Sequence, residues 1–360
     1  MKQYYPQLTG FRFVAAIMVY FSHVNPFINH GYAGLYFSEL QAGVGLFFVL
    51  SGFLISSRYF SHVEFSRSWL WRFFVNRFAR IYPVYFILTT ITLVYATVAK
   101  GRFFDWLEYA LNITFLKGYS ACYHSSGIMQ GWSLTVEETF YALSPLLLLL
   151  LKNRLKISTL ALFYVVFTAI ALLMVCMHGS SVCLFYPFED GMIYTFFGRS
   201  LDFLFGVFLA MVLLGKFSLP QKIGSMHMRY TWSGALLMAL SIGLVAAVRE
   251  DGNMMSGLRD WRGLLANNVL LPASVMLFLH GLITENTWVR TLLSNKVIEA
   301  LGKSSYVFYL IHVGLFRNLM KDLTTFEPLL LLLTLALAHL IYLAIEHPLN
   351  DLIRKKLIRT

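Results

Sequence analysis

Charge is what this sequence has least of. Only 13% of its 360 residues are Asp, Glu, Lys or Arg, about half the share carried by a water-soluble domain, so a soluble globular fold is excluded for want of polar surface. Cysteine is also scarce: Cys122, Cys176 and Cys183 stand at no metal-ligand spacing, and no metal site is expected. Cys122 and Cys183 could meet outside a membrane, or all three could remain thiols; the spacing allows both. The short alternating segments of an outer-membrane barrel are missing, as are internal repeats and low-complexity tracts. No secretory signal is expected either. Met1–Gly10 holds a single Lys, the first apolar run contains Arg12, and no small-residue cleavage site follows. The first span is therefore expected to stay in the mature protein.

Apolar sequence is abundant, at 58% of residues, in runs such as Leu143–Leu151, Leu160–Met177, Leu201–Leu214 and Leu329–Ile345. Stretches of about 20 apolar residues cross a bilayer as helices. The pattern predicts an all-α, polytopic transmembrane bundle of about ten spans, near 8–28, 41–57, 80–99, 130–151, 157–178, 197–214, 231–248, 264–283, 304–320 and 328–345. Residues 1–360 read as a single transmembrane domain with no separate soluble domain. The net charge of +11 does not point to nucleic acid, because the basic residues sit between the spans, as in membrane proteins. Most of them, from Lys2 through Arg58–Arg80, Lys152–Lys156, Lys216, Lys222 and Arg229 to Arg354–Arg359, fall on one side if the N-terminus is cytoplasmic. Both termini are then cytoplasmic, and the loops near Asp190 and Asp251 face outward.

Ionisable residues inside such spans are costly and mark function. Arg12 and His23 share the first span. Eleven residues at about 100° each come to three turns plus roughly 20°, so they lie on one face, about 16 Å apart along the axis. A neutral imidazole is suited to taking a proton near neutral pH, as a hydroxyl attacking a thioester requires. The alternative is a snorkelling Arg and a His satisfied by packing. Arg72, Arg77 and Arg80 cluster before the third span, where guanidinium forks suit phosphates; an ordinary positive-inside loop would look similar. Gly43–Ser57 reads best as a helix-packing surface. Glu137 and Glu138 open the fourth span about 100° apart, so Glu137 is expected to face the interior and Glu138 the interface. His312 lies mid-span with Tyr309 one turn before it, a possible additional site or a packed pair. Ser51 and Ser133 lack a G-x-S-x-G elbow.

Taken together, Leu8–His23, Gly43–Ile55, Phe74–Tyr85, Trp132–Pro145, Gly302–His312 and Glu346–Pro348 resemble the membrane-bound acyltransferase 3 family. Arg12 to His23 is similar to its R/K-x10-H motif, and Arg77 with Arg80 to its R-x-x-R motif. The resemblance implies ten spans in a bacterial inner membrane and cytoplasmic acyl-CoA, mostly acetyl-CoA, as donor. It implies a carbohydrate acceptor: polysaccharide, lipopolysaccharide or a lipid-linked sugar or glycolipid. The fused hydrolase-like domain common in the family is not expected here. In this reading Arg72, Arg77 and Arg80 hold the CoA phosphates, His23 is the general base, Arg12 places CoA or stabilises charge, and Glu137 orients them. A transporter or flippase for a modified glycolipid is the alternative, since intramembrane Arg, His and Glu also line translocation paths.

Overall fold

The structure is a computed structural model describing residues 4–99, 101–178, 183–217, 229–249 and 256–358. Lys2, Lys222, Asp251 and Arg359, used in the orientation argument, lie outside the described residues. Within them the chain is helical and has no β-strand, only an isolated bridge between Ser120 and Phe185. The helices that matter here are α1 (Pro6–His23), α2 (Gly43–Tyr59), α3 (Arg67–Val98), α4 (Trp106–Ile113), α5 (Trp132–Asn153), α6 (Ile157–Cys176) and α7 (Phe196–Leu213). They continue with α8 (Arg229–Ala247), α9 (Leu271–Thr284), α10 (Ser305–Ile311), α11 (Leu315–Lys321), α12 (Glu327–Ile341) and α13 (His347–Ile358).

Among the described residues, eight helical stretches are long and apolar enough to cross a bilayer: Tyr32–His62, Arg67–Val98, Met129–Asn153, Ile157–Cys176, Phe196–Leu213, Arg229–Ala247, Trp261–Thr284 and Glu327–Ile358. Two of the ten expected spans are not among these. The first is α1, an unbroken helix of 18 residues that carries Gln7, Thr9, Arg12, Ser22 and His23 among its apolar residues. The other is 304–320, which the chain divides into α10 and α11.

The chain forms two compact units. The first comprises Met1–Val63, Leu146–Cys176 and Pro187–Gly302. In it α1 begins at Pro6, whose missing N–H costs nothing in a first turn. Its buried residues Leu8, Phe11, Ala15, Val19 and Tyr20 recur every three to four positions, one stripe against α2. Asn25-Pro26 follows its end. The α2–α7 contact is close because both sides use glycine. A Cβ on Gly52 would fall 2.2 Å from the Phe203 carbonyl oxygen, and one on Gly206 2.0 Å from that of Val49. In lipid, where apolar burial gives helices little reason to associate, such backbone approach supplies the attraction.

The second unit comprises Glu64–Pro145, Met177–Tyr186 and Lys303–Thr360. Its α3 has 32 residues, about 48 Å at 1.5 Å per residue, against a hydrocarbon core of about 30 Å. The helix therefore begins well before the expected span at 80, with the Ser66 hydroxyl accepting the Trp69 N–H at 3.3 Å as its cap. A loop from Gly101 to Gly131 is stapled to residues 183–186. Cys122 and Cys183 form a disulfide, the Ser120 hydroxyl donates to the Cys183 carbonyl at 2.7 Å, and the Phe185 N–H donates to the Tyr119 carbonyl at 2.8 Å. Of the two options the cysteine spacing left open, pairing is the one realised.

Candidate active site

The expected site residues divide between the units: Arg12 and His23 in the first, Arg72, Arg77, Arg80, Glu137, Tyr309 and His312 in the second. Because α1 runs unbroken from Pro6 to His23, Arg12 and His23 share one rigid helix, as the spacing required. Arg12 is half-buried, whereas His23 is exposed at the last helical position. Its Nδ1 lies 2.9 Å from the Val19 carbonyl oxygen. A carbonyl can only accept, so Nδ1 carries the hydrogen and Nε2 the lone pair.

In the second unit the three arginines are not equivalent. Arg72 is exposed, Arg80 half-buried and Arg77 only 8% exposed. Arg77 turns inward, and its guanidinium carbon stands 5.6 Å from the centre of the Tyr141 ring, a cation–π contact. The Tyr141 hydroxyl donates to the Glu137 carboxylate one turn away. Arg77, Tyr141 and Glu137 are thus joined, which gives Glu137 an interior partner. Glu138 does not simply reach outward. It is half-buried like Glu137 and lies within electrostatic range of both Glu137 and Arg77.

Tyr309 and His312 are fully internal. The Tyr309 hydroxyl is 2.8 Å from the Ser133 hydroxyl and donates to the Gln130 carbonyl at 3.2 Å. The His312 Nδ1 donates to the Tyr309 carbonyl at 2.8 Å, and its ring stacks on Phe308. The helix stops there because Gly314 takes φ +81°, a left-handed value that favours glycine.

Three further polar groups have no counterpart in the sequence reading. In the first unit the Arg199 Nε donates to Asp202 at 2.7 Å and its Nη1 to the Asn268 side-chain Oδ1 at 3.2 Å, with both charged side chains buried. Their opposite charges three residues apart, beside the run Leu201–Leu214, were the available signal. Asn268 belongs to a π-helical turn at Ala266–Leu270, a distortion often kept at functional sites. In the second unit Lys117 is wholly buried in the stapled loop, and its Nζ donates to the carbonyls of Ser126 at 2.6 Å and Ile128 at 2.5 Å. Burial pulls its ammonium down to about 7, opposed by the nearby Glu108 carboxylate. The third is Gln130, at the end of the same loop. Among the described residues, no group of three or more His, Cys, Asp or Glu is arranged to hold a metal ion.

The family model described as an acyltransferase domain matches residues 5–345. The peptidoglycan O-acetyltransferase OatA of Listeria monocytogenes is 27% identical over 182 residues, covering 46% of this chain and 27% of that protein. The putative peptidoglycan O-acetyltransferase YrhL of Bacillus subtilis is 25% identical over 339 residues, covering 86% of this chain and 48% of that one. A putative O-acetyltransferase of Staphylococcus aureus strain COL is 24% identical over 339 residues, with 86% and 50% covered. The chain spans half or less of the length of these relatives. No solved structure matches it.

Proposed function

The chain belongs to the acyltransferase 3 family, and on that premise we propose that it is an integral membrane O-acetyltransferase, a single domain moving an acetyl group from cytoplasmic acetyl-CoA to a carbohydrate hydroxyl. The observation that carries this reading is the family match over residues 5–345, which includes every residue given a role below. The relatives' names favour a peptidoglycan-like glycan as acceptor over lipopolysaccharide. His23 is the general base: with Nδ1–H donated to Val19, the lone pair on Nε2 takes the proton of the attacking hydroxyl. Arg12, on the same helix, stabilises charge on the thioester side. Arg72, Arg77 and Arg80 bind the CoA phosphates through their forks, with Glu137 and Tyr141 holding Arg77 in place. A thioester is a reactive donor, so positioning and base catalysis suffice.

The membrane is a bacterial cytoplasmic membrane, crossed about ten times, with both termini inside. The Cys122–Cys183 bridge supports this orientation. Disulfides persist in oxidising compartments, and two spans, Met129–Asn153 and Ile157–Cys176, separate the cysteines. An even number of crossings returns the chain to the same face, the outer one under the Lys and Arg rule.

Purified protein given radiolabelled acetyl-CoA and an N-acetylglucosamine oligomer is expected to transfer label to the sugar. The glycolipid transporter reading draws on the interrupted helix at His312–Gly314, since broken helices line transporter sites. It requires that no label be transferred.

A further inference from the structure

Gln130 precedes α5 in a tight turn, Met129–Gly131, and is 3% exposed. Its Nε2 donates to the carbonyl of Tyr309 at 2.6 Å and to that of Leu310 at 3.1 Å. In a continued helix these carbonyls would accept from residues 313 and 314. The interruption at Gly314 withdraws those donors, leaving the carbonyls among the orphans of a helix end. Gln130 is thus the cap of α10, supplied from elsewhere in the same unit. The Tyr309 carbonyl also receives the His312 Nδ1–H at 2.8 Å, so the glutamine and the histidine are fixed on one atom.

A primary amide has two donors and one carbonyl oxygen. Both contacts use the donor end. The Oε1 accepts no hydrogen bond among the described residues and is shut off from solvent. Capping alone does not require this acceptor. The neighbouring Ser133 and Tyr309 hydroxyls do not reach it: both donate to the Gln130 backbone carbonyl, at 3.0 and 3.2 Å. A buried acceptor left without a donor is costly and uncommon.

We propose that the interruption between α10 and α11 is a substrate subsite in which the Gln130 Oε1 accepts a hydrogen bond from an O–H or N–H of a bound substrate. An acceptor at this point selects for donors and against phosphate or carboxylate. Two substrate groups have that chemistry: the acceptor sugar's hydroxyls and the amide N–H groups of the pantetheine arm. The proposal rests on the acyl-transfer reading for the identity of these substrates.

The test compares wild type with Gln130→Lys and Gln130→Met in the full-length protein in detergent. Lysine retains N–H donors for the two carbonyls, lacks the acceptor and adds a charge; methionine removes donors and acceptor without a charge, so an effect common to both variants belongs to the acceptor. Ligand-induced thermal stabilisation and KM are measured for acetyl-CoA and for an N-acetylglucosamine tetramer. One KM is expected to rise about ten-fold in both variants, with the matching stabilisation lost, while the other KM stays within about two-fold. The KM that moves identifies the donor group, sugar hydroxyl or pantetheine amide. If Gln130→Lys keeps both KM values and both shifts, Oε1 binds no substrate and the proposal is wrong. Loss of folded protein in both variants would equally overturn it, making Gln130 a structural cap. Wild-type turnover, measured alongside, tests the acyl-transfer reading separately. Without turnover that reading fails, and the stabilisation shifts alone decide the subsite.

Discussion

His23 closes the straight helix α1 in the first unit, and His312 closes the interrupted helix α10 in the second. Both donate Nδ1–H to a carbonyl one turn back, that of Val19 or of Tyr309. They differ in access: His23 is exposed at its helix end, while His312 is entirely buried beneath Phe308 and Tyr309. The same local lock can therefore hold an imidazole at the surface or deep in the packing, and surroundings decide which. The wider contrast follows the same line. The first unit buries the Arg199–Asp202 ion pair on and beside its helices, whereas the second adds to the Arg77, Tyr141 and Glu137 of its helices a stapled loop and a helix interruption that hold Lys117, Gln130 and His312.

The largest expected effect tests the two histidines directly. Turnover by folded His23→Ala should fall by about 10²–10⁴, the worth of general base catalysis. His312→Ala should lose mainly folded yield, read by size exclusion. A well-folded His23→Ala within a few-fold of wild type would transfer the base assignment to His312. Next is the ion pair of the first unit. Asp202→Ala leaves Arg199 buried without its counter-charge and should cost about 3–5 kcal/mol in detergent unfolding. An unchanged midpoint would show that the unit tolerates the bare cation.

Reducing Cys122–Cys183 should destabilise the second unit by about 2–5 kcal/mol. Hydrogen exchange should then rise in residues 101–131 and not in α2 or α7; a uniform rise would dissolve the distinction between the units. The Arg77→Ala, Arg80→Ala double variant should weaken acetyl-CoA binding by roughly 10–100-fold, since a hydrogen bond to a charged group contributes about 1.5–3 kcal/mol. Lysines should recover only part, lacking the fork, and calorimetric Kd values decide it.

The smallest effect concerns Lys117. Its two carbonyl acceptors match the two N–H groups of a neutral amine, and burial lowers its folded value to about 7. Between about 7 and the ordinary lysine value near 10.4, the unfolded chain binds the extra proton. Stability should therefore climb with pH across that window, at no more than about 1.4 kcal/mol per pH unit. Lys117→Met should flatten this part of the profile. An identical slope in the variant would assign the pH dependence to another group.

The spans were legible wherever apolarity and helix coincide. The expected 197–214 is Phe196–Leu213, and the expected 231–248 is Arg229–Ala247. Apolarity says nothing of backbone continuity, so 304–320 read as one span although Gly314 divides it. An amphipathic extension is equally hidden, which is why α3 starts at Arg67 and not near 80. Among site residues, Arg77 and Glu137 were recognisable by type, because charge beside or within apolar sequence stands out. Their connection through Tyr141 was not, since it joins two helices distant in sequence. Lys117 and Gln130 follow no period at all, and only the folded loop reveals that their ends meet carbonyls.

The bridge between Cys122 and Cys183 also orders the biogenesis of the chain. In the proposed orientation, Cys122 enters an oxidising compartment while its partner is still 61 residues behind, on the far side of a hairpin not yet inserted. The thiols can meet only after α5 has entered the bilayer and α6 has returned across it. Until then Cys122 is an exposed thiol open to any oxidant or wrong partner. The finished disulfide is thus a record of completed insertion, and a quality-control system that recognises free thiols could use it to distinguish arrested chains from mature ones.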